Sequence, residues 1–340
     1  MYAQLEECFA KNDLEIRKYT EASPQWRQVL ALASLDNCIS DIESIDYYIE
    51  YFKDKSNFES LSSVVFQNSQ PIAVFILEIA NEGKNKVVTS NGGNITSPIY
   101  LKDLSKKMIK KINESLHSAI SEFRKESFEY CFEYELNENG CSDWYLNLVT
   151  KYSVKEIVHN LYVDLSFPLE DIKRNFRKSF RPLVNRGVEL WDVKIIDYES
   201  SDIDEQFITF RDFHSLVAGY KSRSNKSWAL QADMVKVGKA FVVSIFDNDE
   251  LIGFGFFPKN GTHCVYAVGV YDRNKFSQPL GHVVQFKAIE YMKKIGVKKY
   301  LLGIRFFSAQ QRLASEKEIN ISHFKEGFAN LMLPAIVFKS

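Results

Sequence analysis

The 340-residue chain lacks most of the signals that announce a chemistry outright. Its five cysteines (Cys8, Cys38, Cys131, Cys141, Cys264) are odd in number and include no Cys-x-x-Cys pair. That argues against a disulfide framework and a thiolate metal site, and leaves reduced, mostly buried thiols as the expectation. The six histidines show no metal-ligand spacing. There is no Gly-x-x-x-x-Gly-Lys-Ser/Thr loop, and Gly253-Phe-Gly255 falls inside a strand pattern, so a glycine loop for nucleotides is not indicated. A Gly-x-Ser-x-Gly elbow is missing too, which disfavours serine-hydrolase chemistry. The longest apolar run, near Ile72–Leu77, is far short of the ~20 residues that cross a bilayer. The opening Met1-Tyr-Ala-Gln-Leu-Glu-Glu7 is acidic, without the basic-then-apolar order of a secretory leader. Charge of one sign is also lacking: 43 Lys and Arg against 44 Asp and Glu give a net charge of −1 and no protein-wide field for nucleic acid or anionic membrane. A soluble cytoplasmic protein with no metal, no tightly bound cofactor and no membrane span is expected.

What the chain does have is apolar substance: 45% hydrophobic and 14% aromatic residues, enough for two cores in a length that suits two domains of roughly 150 residues. From Ala240 the pattern is clearest. Ala240–Phe246 and Leu251–Phe257 are short β-branched and aromatic runs joined by Asp247-Asn-Asp-Glu250, and Cys264–Val270 follows the turn Asn260-Gly261. Such runs read as an antiparallel meander. Val283, Phe286, Ile289 and Met292 then recur at helical spacing, Gly296 stops the helix, and Lys299–Ile304 returns to strand. Strand–strand–strand–helix–strand is the layout of a GNAT-type acyltransferase core. The first half runs similarly, with strands at Leu61–Phe66 and Pro71–Glu78, a long amphipathic helix from Leu101 to Lys125, and a strand at Phe128–Tyr134. The expected fold is α/β with a mixed sheet, in two tandem GNAT-like domains, 1–160 and 161–340. No Gly/Ser- or Pro-rich linker separates them.

After Leu161–Ser166, a strand ending in a helix cap at Ser166, comes the sharpest charge pattern in the chain. Arg174, Arg177, Lys178 and Arg181 lie at i, i+3, i+4 and i+7 of the expected helix, hence on one face, while Phe176, Phe180 and Leu183 take another. Such a face is either a solvated one or an anion site suited to phosphate.

Taken in order, several segments resemble the FemABX-like, tandem-GNAT aminoacyl and acyl transferases. They are Tyr162-Val-Asp-Leu-Ser166 before the basic helix, Gly219-Tyr-Lys-Ser-Arg-Ser224, Trp228-Ala-Leu-Gln231, Tyr266–Asp272, Pro279-Leu-Gly-His282, Tyr300-Leu-Leu-Gly303 and Ile321–Phe328. Asn91-Gly-Gly-Asn94 and Asp143-Trp144 fit in the first half. The resemblance implies metal-independent amide formation. An amine on a cell-wall or surface-polysaccharide precursor, such as a nucleotide- or lipid-linked amino sugar, attacks an activated ester. The implied donor is aminoacyl-tRNA, or an acyl thioester on CoA or acyl carrier protein. The Gln/Arg-x-x-Gly-x-Gly/Ala loop that holds the CoA pyrophosphate in ordinary GNAT enzymes is replaced by Asn274–Gly281. A non-catalytic binding protein of the same fold is the rival from another class.

The same resemblance implies that Phe324 and Lys325 sit at the active site, Phe324 flanking substrate and Lys325 neutralising the developing oxyanion. His282 and Asp272 are candidates for proton transfer, each with a local hydrogen-bonding or turn-capping role as the alternative. Trp228 and Gln231 are candidates to contact a sugar, Tyr266 to line the crevice, and Arg223, Arg177, Lys178 and Arg181 to bind phosphate. For each, core packing or a solvated face is the competing reading.

Overall fold

In the computed structural model, which describes residues 1–33, 40–53, 56–82, 85–136, 142–310 and 314–339, these patterns build two units. One holds the described residues up to Ile157 together with the closing stretch from Pro334; the other runs from Val158 to Leu333. The closing stretch from Pro334 thus belongs with the first unit.

Unit 1 contains α1 (Tyr2–Ala10), β1 (Glu15–Lys18), α2 (Ser23–Leu32), α3 (Ile42–Lys53), β2 (Asn57–Ser60), β3 (Ser63–Gln67), β4 (Gln70–Phe75), β5 (Glu78–Glu82), β6 (Asn85–Thr89) and β7 (Ile99–Tyr100). It continues with α4 (Lys106–Lys125), β8 (Phe128–Glu135) and α5 (Asp143–Lys151), and β9 (Ser153–Asp164) then carries the chain into unit 2. β1, β3, β4 and β7 form an antiparallel sheet, while β8, β6, β5 and β2 lie side by side in a mixed one. β6 and β8 are parallel, which requires a crossover, and α4 supplies it. That helix starts at Lys106 rather than Leu101 because the Ser105 hydroxyl accepts from Met108 N–H at 3.3 Å. Its buried stripe of Met108, Ile112, Leu116, Ile120 and Phe123 joins the core around Phe9, Phe75, Phe132 and Trp144. Cys8 and Cys264 are buried and Cys131 partly so; Cys38 and Cys141 lie outside the described residues.

A carboxyl is sealed inside unit 1. Glu78 is fully buried, accepting from Asn91 N–H at 2.6 Å and from the Ser62 hydroxyl at 3.2 Å. It pins the tight turn in which Asn91 and Gly92 take φ of 53° and 77°. Burial pushes the Glu78 carboxyl up to about 8, although both hydrogen bonds pull it down. The folded value lies above the roughly 4.3 of an unfolded chain, so stability is full below that value and is lost as pH rises from it towards 8. Glu78→Gln keeps an acceptor for Asn91 and an amide for Ser62 but has no proton to lose. Its thermal midpoint relative to wild type is expected to rise steadily from about pH 5 to about pH 8, by pH-dependent calorimetry. A difference that stays flat across that window would show that Glu78 is already ionised in the folded protein.

Unit 2 continues with α6 (Leu169–Asn175), α7 (Phe180–Leu190), β10 (Asp192–Ile196), α8 (Ile203–Ala218), α9 (Asn225–Lys236), β11 (Ala240–Asp247), β12 (Glu250–Asn260), β13 (His263–Val265) and β14 (Val268–Tyr271). Then come α10 (Leu280–Lys294), β15 (Lys299–Arg305), α11 (Glu316–Glu326) and β16 (Leu331–Lys339), which pairs with β8 in unit 1 after Pro334. Its strands run β10-β11-β12-β13-β15-β9, with β14 also on β12. The β11–β12 hairpin turns through Asn248 and Asp249, both at positive φ, as a two-residue turn matched to strand twist requires. Along β12 successive side chains face opposite ways. Phe254 and Phe256 pack against Phe210, Trp228 and Phe207 of α8 and α9, whereas Gly255 and Phe257 face Val284, Phe241 and Tyr300.

Two expectations need correction here. The basic helix is not continuous: Phe176 leaves α6 with ψ 147°, and α7 starts at Phe180. The cause is non-local, since Arg177 N–H donates to Gly327 O at 2.8 Å and its guanidinium to His323 O at 2.8 Å. Arg174, Arg177, Lys178 and Arg181 therefore do not share one helical face. Ser166 is not the helix cap either; Pro168 occupies that position and no side chain caps α6.

Candidate active site

The candidate site begins with two strands that part. β13 and β15 run parallel through the pairs His263–Lys299, Cys264–Tyr300 and Val265–Leu301, and Tyr266 N–H to Leu301 O at 2.9 Å follows. Beyond that point β14 stays with β12 and the rest of β15 stays with β9. The third run of the meander is thus two strands, with a wedge opening beside them. The cause on the β15 side is a bulge between Leu301 and Gly303, with Gly303 at φ 122°, a conformation essentially closed to residues with a side chain.

Lys325 reaches this point from the end of α11. Its Nζ lies 5.3 Å from the centre of the Tyr266 ring, and a methyl group built on Gly303 would lie 2.9 Å from it. Burial pushes the Lys325 ammonium below its ordinary value, and no carboxylate among the described residues counters this. The adjacent Glu326 is engaged elsewhere, 3.0 Å from Arg305 and 3.8 Å from Arg177. Lys325 is half-buried, and the face of the Tyr266 ring, rather than a carboxylate, offsets part of its lost hydration.

Polar and aromatic groups surround this ammonium. The Tyr266 and Tyr271 hydroxyls are 2.9 Å apart, and Tyr300 OH donates to the fully buried Gln285 at 2.5 Å. Burial raises all three phenols, so they remain protonated hydrogen-bond groups rather than bases. Gly269 is needed beside them, because a side chain there would overlap the Tyr266 hydroxyl. Phe324 packs edge-on to His282 at 5.0 Å and beside Phe180 at 5.6 Å, and its ring lies against Gly281 at the start of α10. His282 is also edge-on to Phe180 at 4.4 Å; burial, then the nearby Arg177, lowers its imidazole to about 4. It is neutral at physiological pH, with a buried Nε2 that has no partner among the described residues.

Of the residues singled out from sequence, Lys325, Tyr266, Phe324, His282 and Arg177 come together here. Asp272 serves the turn after β14, accepting from Asn274 N–H at 2.9 Å. Arg177 lies 4.9 Å from the Phe180 ring centre. Arg181 donates to Arg174 O, and Lys178 is exposed. Trp228, Gln231 and Arg223 belong to the other face of the sheet. Trp228 packs on Phe254 and His214 with Arg223 5.0 Å from its ring, and Gln231 is only 1% exposed, its amide without a partner among the described residues. Sequence reasoning did not single out Gly303, Tyr271, Gln285, Tyr300 or Arg305 for the site; a glycine within the strand pattern Tyr300-Leu-Leu-Gly303 was the one available signal, since it marks a bulge.

No family model matches the chain, and no curated protein matches it by sequence. Solved structures do. FemX superposes with a TM-score of 0.66 at 11% identity over 95% of this chain and 96% of its own. The C-terminal domain of a putative lysylphosphatidylglycerol synthetase from Agrobacterium fabrum gives 0.62 at 11% identity, over 95% and 92%. L-PGS from Bacillus licheniformis gives 0.55 at 17% identity, over 88% and 91%. At these identities it is the fold that is shared. The chain therefore has a FemABX-like fold, with the tandem GNAT-type α/β organisation that its ordered motifs led one to expect.

Proposed function

We propose that this protein is an aminoacyltransferase that forms an amide on an amine-bearing cell-envelope precursor, using an aminoacyl ester as donor. The observation that carries the reading is the Lys325 ammonium, half-buried on the Tyr266 ring with no carboxylate partner among the described residues, where β14 and β15 part. In this reaction the acceptor amine attacks the ester carbonyl, the C–N bond forms, the C–O bond breaks, and the amine proton leaves with the departing hydroxyl. Negative charge gathers on the carbonyl oxygen in between, and a cation held in a partly desolvated site stabilises it more than one in bulk water does. Tyr266, whose ring the ammonium faces, and the neutral His282 ring, edge-on to Phe324, are the polar groups assigned to this centre. One similar structure is the C-terminal domain of a putative lysylphosphatidylglycerol synthetase, which supports an aminoacyl cargo and an envelope acceptor. An amino sugar linked to a nucleotide or lipid diphosphate is the acceptor implied by the sequence resemblance.

The turn before α10 favours an aminoacyl ester over an acyl-CoA. A pyrophosphate needs free backbone N–H groups. Here those of Asn274, Lys275, Phe276, Gln278, Leu280, His282 and Val283 are bonded within the turn and first helical residues. Phe324 and Tyr271 cover Gly281 as well. Incubation of amino-sugar acceptors with charged tRNA should produce a mass gain equal to one aminoacyl residue, read by mass spectrometry and abolished by RNase pretreatment. Turnover with acyl-CoA alone would instead make the protein a thioester-dependent N-acyltransferase.

A further inference from the structure

β10 is an edge strand. It bonds β11 on one side and no strand among the described residues on the other. Edge strands of monomers are commonly blunted by proline, a bulge or an inward-pointing charge. β10 pairs with β11 in unbroken register and includes no proline, and the two exposed charges it carries, Asp192 and Lys194, are of opposite sign and so can complement a second copy rather than only repel it. Its side chains divide cleanly by period two. Val193 and Ile195, with Trp191 just before the strand, line one side of a groove of about 440 Å³ completed by Val188, Tyr291 and the charged Lys287, Glu290 and Lys294. Asp192 and Lys194 lie on the opposite, exposed face, 3.9 Å apart and 66% and 52% exposed.

We infer that β10 is a self-association edge, which pairs antiparallel with β10 of a second copy of this chain about a two-fold axis at Val193. Two registers centred on residues of the strand can be compared. Centring on Lys194 sets Lys194 against Lys194 of the second copy and leaves Asp192 opposite Ile196. Centring on Val193 sets Asp192 against Lys194 and Lys194 against Asp192, with Val193 facing Val193 and Trp191 facing Ile195. Opposite charges directly across a strand pair stabilise it and like charges oppose it, so charge selects the second register. In that register the apolar residues of both copies also meet on one face, and the two grooves join across the axis. A two-fold contact of this kind is closed and self-complementary, so it stops at a dimer. The surface is separate from the Lys325 site and independent of the proposed reaction.

Sedimentation velocity from low to high micromolar protein tests the inference. Wild type is expected to pass from monomer to dimer across that range, and a monomer throughout would overturn it. Asp192→Lys or Lys194→Asp alone turns both attractive pairs into repulsive ones and should weaken dimerisation roughly tenfold or more. The double swap Asp192→Lys/Lys194→Asp restores complementarity and should restore the dimer. A dimer indifferent to the single changes, or a double swap that remains monomeric while its circular dichroism matches wild type, would also overturn it. Trp191 supplies a second readout, because Trp26, Trp144 and Trp228 are each no more than 4% exposed. Its emission should shift to the blue as wild-type concentration rises and stay fixed in the single variants.

Discussion

Lys325→Met is expected to reduce transfer by about 10²–10³-fold, the usual consequence of removing one group that stabilises the developing oxyanion. The same variant is expected to unfold at a higher temperature than wild type. Methionine is close to lysine in length, and it replaces a half-buried ammonium that no carboxylate among the described residues compensates. Loss of rate with gain of stability separates a functional lysine from a structural one, whose removal would lower both or neither. The pH profile gives an independent check. Burial lowers the Lys325 pKa, so the folded protein gives up this proton at a lower pH than an unfolded chain would. Activity that needs the ammonium should fall on the alkaline limb before the ordinary lysine range is reached. A Lys325→Met enzyme with wild-type turnover of charged tRNA and amino-sugar acceptor would end the oxyanion role.

Gly303→Ala is the second large effect. At φ 122° a side chain is strained whatever surrounds it, at a cost of about 1–3 kcal/mol. The added methyl would also sit 2.9 Å from Lys325 Nζ, so the ammonium must move. The expected result is lower stability together with a loss of transfer approaching that of Lys325→Met. Gly261→Ala makes the useful comparison. Gly261 has φ 51° with nothing within 4 Å of an added methyl, so its substitution should cost stability without touching turnover. Equal activity in the two variants, measured as kcat at saturating acceptor, would dissociate the bulge from the site.

The local parts of this fold were legible in the sequence. The hairpin of Ala240–Phe246 and Leu251–Phe257 appears as β11 and β12, and the helix that opens around His282 ends before Gly296 at φ 82°. These depend on short-range periodicity and turn chemistry, which a single chain displays. The misread parts are set by contacts distant in sequence. The break after α6 depends on Arg177 meeting Gly327, 150 positions away. The return of the last strand depends on Ala335 finding Glu135 in register. Trp228 and Gln231 have helical spacing and the chemistry to contact a sugar, but spacing does not tell which face of the sheet a helix covers. The wedge between β14 and β15 was hidden for a related reason, as Cys264–Val270 reads as one strand until its neighbours are known to differ. Phe324 and Lys325 stood out only through the order of motifs around them, since nothing in their own pattern distinguishes them from a solvated helix end.

The buried carboxyl of unit 1 has a consequence for folding as a chemical reaction. At neutral pH an unfolded chain carries Glu78 as a carboxylate, while the folded unit holds it as the acid. Folding therefore consumes about one proton from the medium at this residue. Synthesis and folding of unit 1 are coupled to the acidity of the compartment, and the folded unit carries a net charge one step more positive than its sequence suggests.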